Sequence, residues 1–173
     1  FAFAQQIARE AGALAMSHSN RRDELALESK GLQDIVTVTD RAVESMLTAR
    51  IAAAFPDDPV LGEEGGFTGE VRDDTPLWVI YPIDGNGTFA RGLPLWCISI
   101  GVMQAGEPVA GVIYNATTDE MHAGSVDAAA TCNGKPIRAS GVTDPHRARV
   151  SLGFSYRRKP AVHVAGIARL LGE

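Results

Sequence analysis

The chain has 173 residues, 45% hydrophobic and 21% charged, enough apolar material for one large domain or one and a fraction. A formal net charge of -5 and a pI near 5.4 argue against broad attraction to phosphate backbones, and no basic run exceeds Arg157 to Lys159. No apolar stretch reaches the roughly 20 residues that span a bilayer, and the opening "FAFAQQIARE" lacks the sections of a secretory signal, so the expectation is a cytoplasmic protein without nucleic-acid or membrane partners.

From Phe3 to His18 the residues Phe3, Ile7, Ala11, Leu14 and Ala15 recur at helical spacing, which predicts an amphipathic helix. A second helix is predicted from Asp40 to Phe55, striped by Val43, Met46, Leu47, Ile51 and Ala54. The capping-box pattern "TVTD" lies ahead of it, and Pro56 ends it. The short apolar runs "PVLG" and "LWVI" follow, then a meander of strands from Leu95 to Val126 broken by "QAGEP" and "NATTDE". Asn133-Gly134 predicts a tight hairpin, because both residues tolerate positive φ.

Helices first and strands afterwards, joined by short turns, imply an α+β fold with an antiparallel sheet. After about residue 140, "RARVSLGF" reads as a strand and "AVHVAGIARLLGE" as a helix. The division expected is 1–140 for helices plus sheet and 141–173 for the start of an incomplete α/β part. Cys97 and Cys132 belong to no CxxC pair and read as buried reduced thiols, and His18, His122, His146 and His163 share no metal-binding spacing with one another.

Four acidic residues stand at element ends: Asp40 opens the second helix, Glu63 and Glu64 follow "PVLG", and Asp84 follows "WVIYPI". Taken singly, each is an ordinary cap or turn residue. Gathered together without compensating Lys or Arg, they would repel one another unless a divalent cation sat among them, and Mg²⁺ is the oxygen-preferring candidate. Beside Asp84, Gly85 and Gly87 let the backbone turn with its N–H groups exposed to an anion, and Asn86 or Thr88 is placed to cap a short helix.

The blocks "KGLQDIVTVTDRAVESML", "PVLGEEGG", "WVIYPIDGNGTFARGLPLWCISIGVM" and "GEPVAGVIYNATTDEMHAG" resemble, in order, those of the inositol monophosphatase family of magnesium-dependent phosphatases. The resemblance runs from about Lys30 to Phe154. It implies a layered αβαβα sandwich of which this chain holds the N-terminal helices and sheet. It also implies that Glu63 and Asp84 bind Mg²⁺ through their carboxylates and Ile83 through its carbonyl. Asp40 would activate water, Gly85, Asn86 and Gly87 would cradle phosphate, and Lys30 would sit in a loop near the site. Glu64 is expected beside the ligand rather than as one.

The chain departs from the family pattern DPIDGTxNF. Tyr81 stands where the family has a metal-bridging aspartate, Asn86 where it has the water-activating threonine, and Thr88 where it has asparagine. The family's later WDxAAG segment has no counterpart here. A phenol with a pKa of about 10 is neutral near pH 7 and cannot bridge two cations as a carboxylate does. An amide relays a proton less readily than a hydroxyl.

Two functions stay open. One is Mg²⁺-dependent hydrolysis of a small phosphorylated polyol or sugar, with inositol monophosphate the leading substrate, histidinol phosphate its rival and 3′-phosphoadenosine 5′-phosphate behind both. The other is a catalytically silent relative that serves in binding or assembly. The resemblance also implies a homodimer.

Overall fold

A computed structural model describes residues 1–20, 27–29, 35–149, 151 and 159–172. The chain divides into two compact units, Phe1–Arg138 and Ala139–Glu173.

In the first unit, α1 (Ala2–Ser19) and α2 (Val38–Ala54) lie on an eight-stranded sheet, and β1 (Leu27–Ser29) pairs with β2 (Ile35–Thr37). The sheet contains β3 (Val60–Gly62), β4 (Gly66–Thr68), β5 (Leu77–Asp84), β6 (Cys97–Gln104), β7 (Glu107–Asn115), β8 (Glu120–Ser125), β9 (Ala128–Cys132) and β10 (Lys135–Pro136). Their order across it is β10-β9-β8-β7-β6-β5-β3-β4. From β5 to β10 every neighbour is antiparallel, as short turns require. The expectation of a wholly antiparallel sheet fails at one place: β3 pairs with β5 in parallel, Val60 facing Trp78 and Leu61 facing Val79. The β4 hairpin and the segment after it carry the chain back, so β5 enters from the same end as β3.

Period-two alternation decides which strand residues face the helices. Trp78 and Ile80, Ile98 and Ile100, Val112 and Tyr114, Met121 and Ala123 are buried, and with Ile7, Ala11, Val43, Leu47 and Ile51 they form one core. Each fully buried large side chain contributes about 1.5–3 kcal/mol. Phe3, Phe55 and Trp78 close one end with ring centroids 5.2, 5.9 and 5.4 Å apart. Gly12 sits where a Cβ would come within 2.5 Å of the Tyr114 ring, so glycine lets α1 lie close to β7. Between the helices, Arg50 donates two hydrogen bonds to Glu10, at 2.8 and 3.0 Å, and they hold the Glu10 carboxyl below its ordinary pKa.

The second helix begins two residues before Asp40, so Asp40 lies inside its first turn. The Asn133-Gly134 hairpin forms as expected, with φ of 49° and 76°. Cys97 and Cys132 are free but only half-buried, so the expectation of buried thiols is too strong. In the second unit, a short 3₁₀ turn at Pro145–Arg147 precedes α4 (Pro160–Leu171). Pro160 opens that helix, and Gly172 ends it at a φ of 87°. Of the strand expected over 147–154, residues 150 and 152–154 lie outside the described residues, and the others form no strand, Arg147 closing the 3₁₀ turn.

Candidate functional site

The site forms where the N-terminus of α2 meets the exit ends of β3 and β5. On α2, Asp40, Val43, Glu44, Leu47 and Ile51 are all buried, so one helical stripe carries two carboxylates on its first turns and aliphatic residues beyond them. The parallel register brings the residues after β3 beside the end of β5. Carboxylate oxygens of Asp40, Glu63 and Glu64 lie within 4.8 Å of one another, Asp40 buried, Glu64 half-buried and Glu63 exposed, so the cluster runs from the core to solvent.

The electrostatics follow from this crowding. Burial pushes the Asp40 carboxyl from an ordinary 3.8 up to about 7, and the charges of Glu63, Glu64 and Glu44 add to the rise. A hydrogen bond opposes it: Asn86 Nδ2 donates to Asp40 Oδ2 at 2.8 Å. Asn86 Oδ1 is buried and makes no hydrogen bond among the described residues. Three clustered carboxylates beside an unsatisfied amide oxygen form an oxygen donor set that suits a hard divalent cation.

The residues expected at the site, Lys30 apart, take the following places. Glu63 and Asp40 come together. Glu64, expected only as a neighbour, contributes an oxygen to the cluster and also lies 4.0 Å from Arg41. Asp84 is not part of this group of three; its carboxylate lies 4.0 Å from the Cys97 thiol, and its charge reaches Tyr81. Its direction comes from a bulge: the β5–β6 register slips between Tyr81 and Asp84, where Pro82 has no N–H to donate. Two consecutive buried residues, Pro82 and Ile83, therefore leave both Tyr81 and Asp84 exposed. Lys30 lies outside the described residues.

Tyr81 points at the cluster, its hydroxyl donating to Glu63 Oε1 at 3.3 Å. Burial, followed by the charges of Glu63 and Asp84, pushes the phenol up to about 12, so it stays neutral and adds no anionic oxygen.

The glycine turn differs from expectation in one respect. Neither Asn86 nor Thr88 caps α3 (Asn86–Ala90); its cap is Gly85 at a φ of 106°. Asn86 is committed to Asp40, while the Thr88 hydroxyl turns back to the carbonyls of Gly85 and Leu95. A Cβ on Gly85 would stand 2.7 Å from the Leu95 carbonyl, so the turn needs glycine for its φ and for that approach. The Gly87 carbonyl accepts from Arg91 at 2.6 Å, which stiffens the same turn.

Glu44 was not singled out in the sequence, although it shapes the site. Its carboxylate accepts the N–H of Glu64 at 3.0 Å and of Gly65 at 2.6 Å, holding the turn that carries Glu63 and Glu64. Gly62 leaves room for it, since a Cβ there would stand 2.6 Å from Glu44 Cδ. The available signal was a carboxylate four residues after Asp40, inside an apolar stripe.

Helices on one face of a largely antiparallel sheet, with an acidic cluster at a helix N-terminus, define the α+β architecture of the layered sugar phosphatases. The chain belongs to the inositol monophosphatase family, whose model matches residues 1–170. It is 33% identical over 156 residues to the Nus factor SuhB of Xylella fastidiosa, covering 90% of this chain and 56% of that protein. It is also 33% identical over 160 residues to inositol monophosphatase 1 of Rattus norvegicus, covering 91% and 57%. Among solved structures, an IMPase from Thermotoga maritima superposes with a TM-score of 0.72 at 35% identity, covering 80% of this chain and 53% of that one. The chain thus spans little more than half the length of these relatives.

Proposed function

We propose that this chain carries the metal-binding part of a Mg²⁺-dependent hydrolase of small phosphate monoesters, with inositol monophosphate as the leading substrate and histidinol phosphate as the alternative. The observation that carries this reading is the meeting of the Asp40, Glu63 and Glu64 carboxylates beside Asn86. Glu63, with Asp84 and the Ile83 carbonyl, would hold Mg²⁺, which when bound supplies charge neutralisation for the phosphoryl group and a more acidic water. Asp40, steadied by Asn86, would orient the attacking water and accept its proton, a role suited to a carboxyl raised toward neutrality. Gly85 and Gly87 give the backbone the turn on which the phosphate rests. Lys30 near the site, a homodimeric assembly and a cytoplasmic setting are parts of the same proposal.

A second reading has its own support. The neutral Tyr81 hydroxyl bonds to Glu63 at the position where the family has a bridging aspartate. A relative silenced in this way would keep the scaffold for binding, and the similarity to a protein named as a Nus factor gives that alternative a precedent of name. Phosphate release from inositol monophosphate, measured with and without Mg²⁺ for the parent and for a Tyr81→Asp, Asn86→Thr variant extended by the family's WDxAAG part, separates the two. Turnover by the parent supports the hydrolase, turnover only by the variant supports the silenced relative, and no turnover by either overturns the phosphatase proposal.

A further inference from the structure

A different set of donors lies on the sheet face turned away from the helices. His122 on β8 and Cys132 on β9 are direct cross-strand partners. The Asn133 N–H donates to the Met121 carbonyl at 2.8 Å, which makes the next pair along, His122 and Cys132, the non-hydrogen-bonded kind whose side chains stand closest. Glu120 precedes His122 by two residues and therefore projects from the same face. One ligand atom from each of Glu120, His122 and Cys132 lies within 4.8 Å of the others, and Cys132 Sγ is 3.8 Å from His122 Nε2.

We infer that Glu120, His122 and Cys132 form a zinc-binding site, independent of the carboxylate cluster at α2. Zn–S and Zn–N bonds of about 2.3 and 2.0–2.1 Å at a tetrahedral angle place sulfur and nitrogen about 3.6 Å apart, close to the spacing found here. The donor chemistry differs from that at Asp40, Glu63 and Glu64: an all-oxygen set selects Mg²⁺, while thiolate, imidazole and carboxylate together select zinc. Three protein ligands leave a fourth position for water or an external donor. Strand pairing holds the backbone of all three ligands, so binding requires only side-chain rotation.

The test uses the reduced protein in excess Mg²⁺, added to compete for the oxygen cluster. Zinc is measured by equilibrium dialysis with metal analysis, and Co²⁺ serves as the spectroscopic probe. The expected result is one zinc per chain and a near-ultraviolet thiolate-to-cobalt band. Cys132→Ser should lose the band, His122→Ala should lose zinc affinity by more than the roughly 100-fold upper range of an outer-shell change, and Cys97→Ser should keep both. The inference is overturned if the parent retains no zinc, if the band follows Cys97 instead, or if Cys132→Ser binds zinc as the parent does. Circular dichroism of each variant confirms that the sheet is intact when the loss is read.

Discussion

Tyr81 and Glu63 stand beside each other because β3 and β5 run in parallel, and their contact at 3.3 Å joins a neutral phenol to a carboxylate of the acidic cluster. The ladder pairs Leu61 with Val79, and the turn that follows β3 leaves Glu63 level with Tyr81 two residues further along. Whatever occupies position 81 therefore decides the charge available at the cluster.

Tyr81→Asp should raise Mg²⁺ affinity by about tenfold or more, because the number of charged ligands sets affinity in carboxylate sites. Tyr81→Phe, which removes the hydrogen bond and adds no charge, should leave it near the parent value. Isothermal titration with Mg²⁺ decides the matter, and equal affinities for Tyr81→Asp and the parent would show that position 81 does not reach the ion.

Glu44→Ala should destabilise the protein by about 2–4 kcal/mol, since it leaves the amides of Glu64 and Gly65 without their charged acceptor. Glu44→Gln, which keeps one carbonyl oxygen, should cost less. Urea unfolding gives both values. A parallel Mg²⁺ titration should show affinity falling in the same order if the turn positions the cluster.

Asp40 makes stability depend on pH in the sense opposite to an ion-paired carboxylate. Its folded pKa, about 7, lies above its ordinary 3.8, so its contribution is fully present below pH 3.8 and is lost as pH rises toward 7. In metal-free protein the melting temperature should fall across this window by several degrees more in the parent than in Asp40→Asn, at roughly 2–4 °C per kcal/mol. Added Mg²⁺ should raise the parent's melting temperature more at pH 8 than at pH 5. Identical pH profiles for parent and variant would contradict the assignment of this titration to Asp40.

Gly12→Ala offers a test of the packing. Alanine gains about 1 kcal/mol of helix propensity over glycine. Here its methyl would meet the Tyr114 ring at 2.5 Å and Ala116 Cβ at 2.9 Å, and overpacking of this kind costs about 1–3 kcal/mol. The clash should prevail, giving a net loss in chemical denaturation; a gain in stability would mean that α1 can lift from β7 at little cost.

Much of this protein follows from interactions between near neighbours along the chain, and those parts were legible in the sequence. The stripes Ile7, Ala11, Ala15 and Val43, Leu47, Ile51 specify two helices and their inner faces. Asn133-Gly134 specifies its hairpin, and the ordered motifs around Asp40, Glu63 and Asp84 specify the family. The tertiary structure decided what depends on distant partners: the parallel pairing of β3 with β5, the bulge that exposes Asp84, Glu64's place in the cluster, and Glu44's hold on the turn. Helix periodicity and turn chemistry are set by backbone sterics within a few residues. The order of strands, and which carboxylates are forced to share a space, are settled only when the whole core chooses the arrangement that buries its apolar faces and satisfies its polar groups.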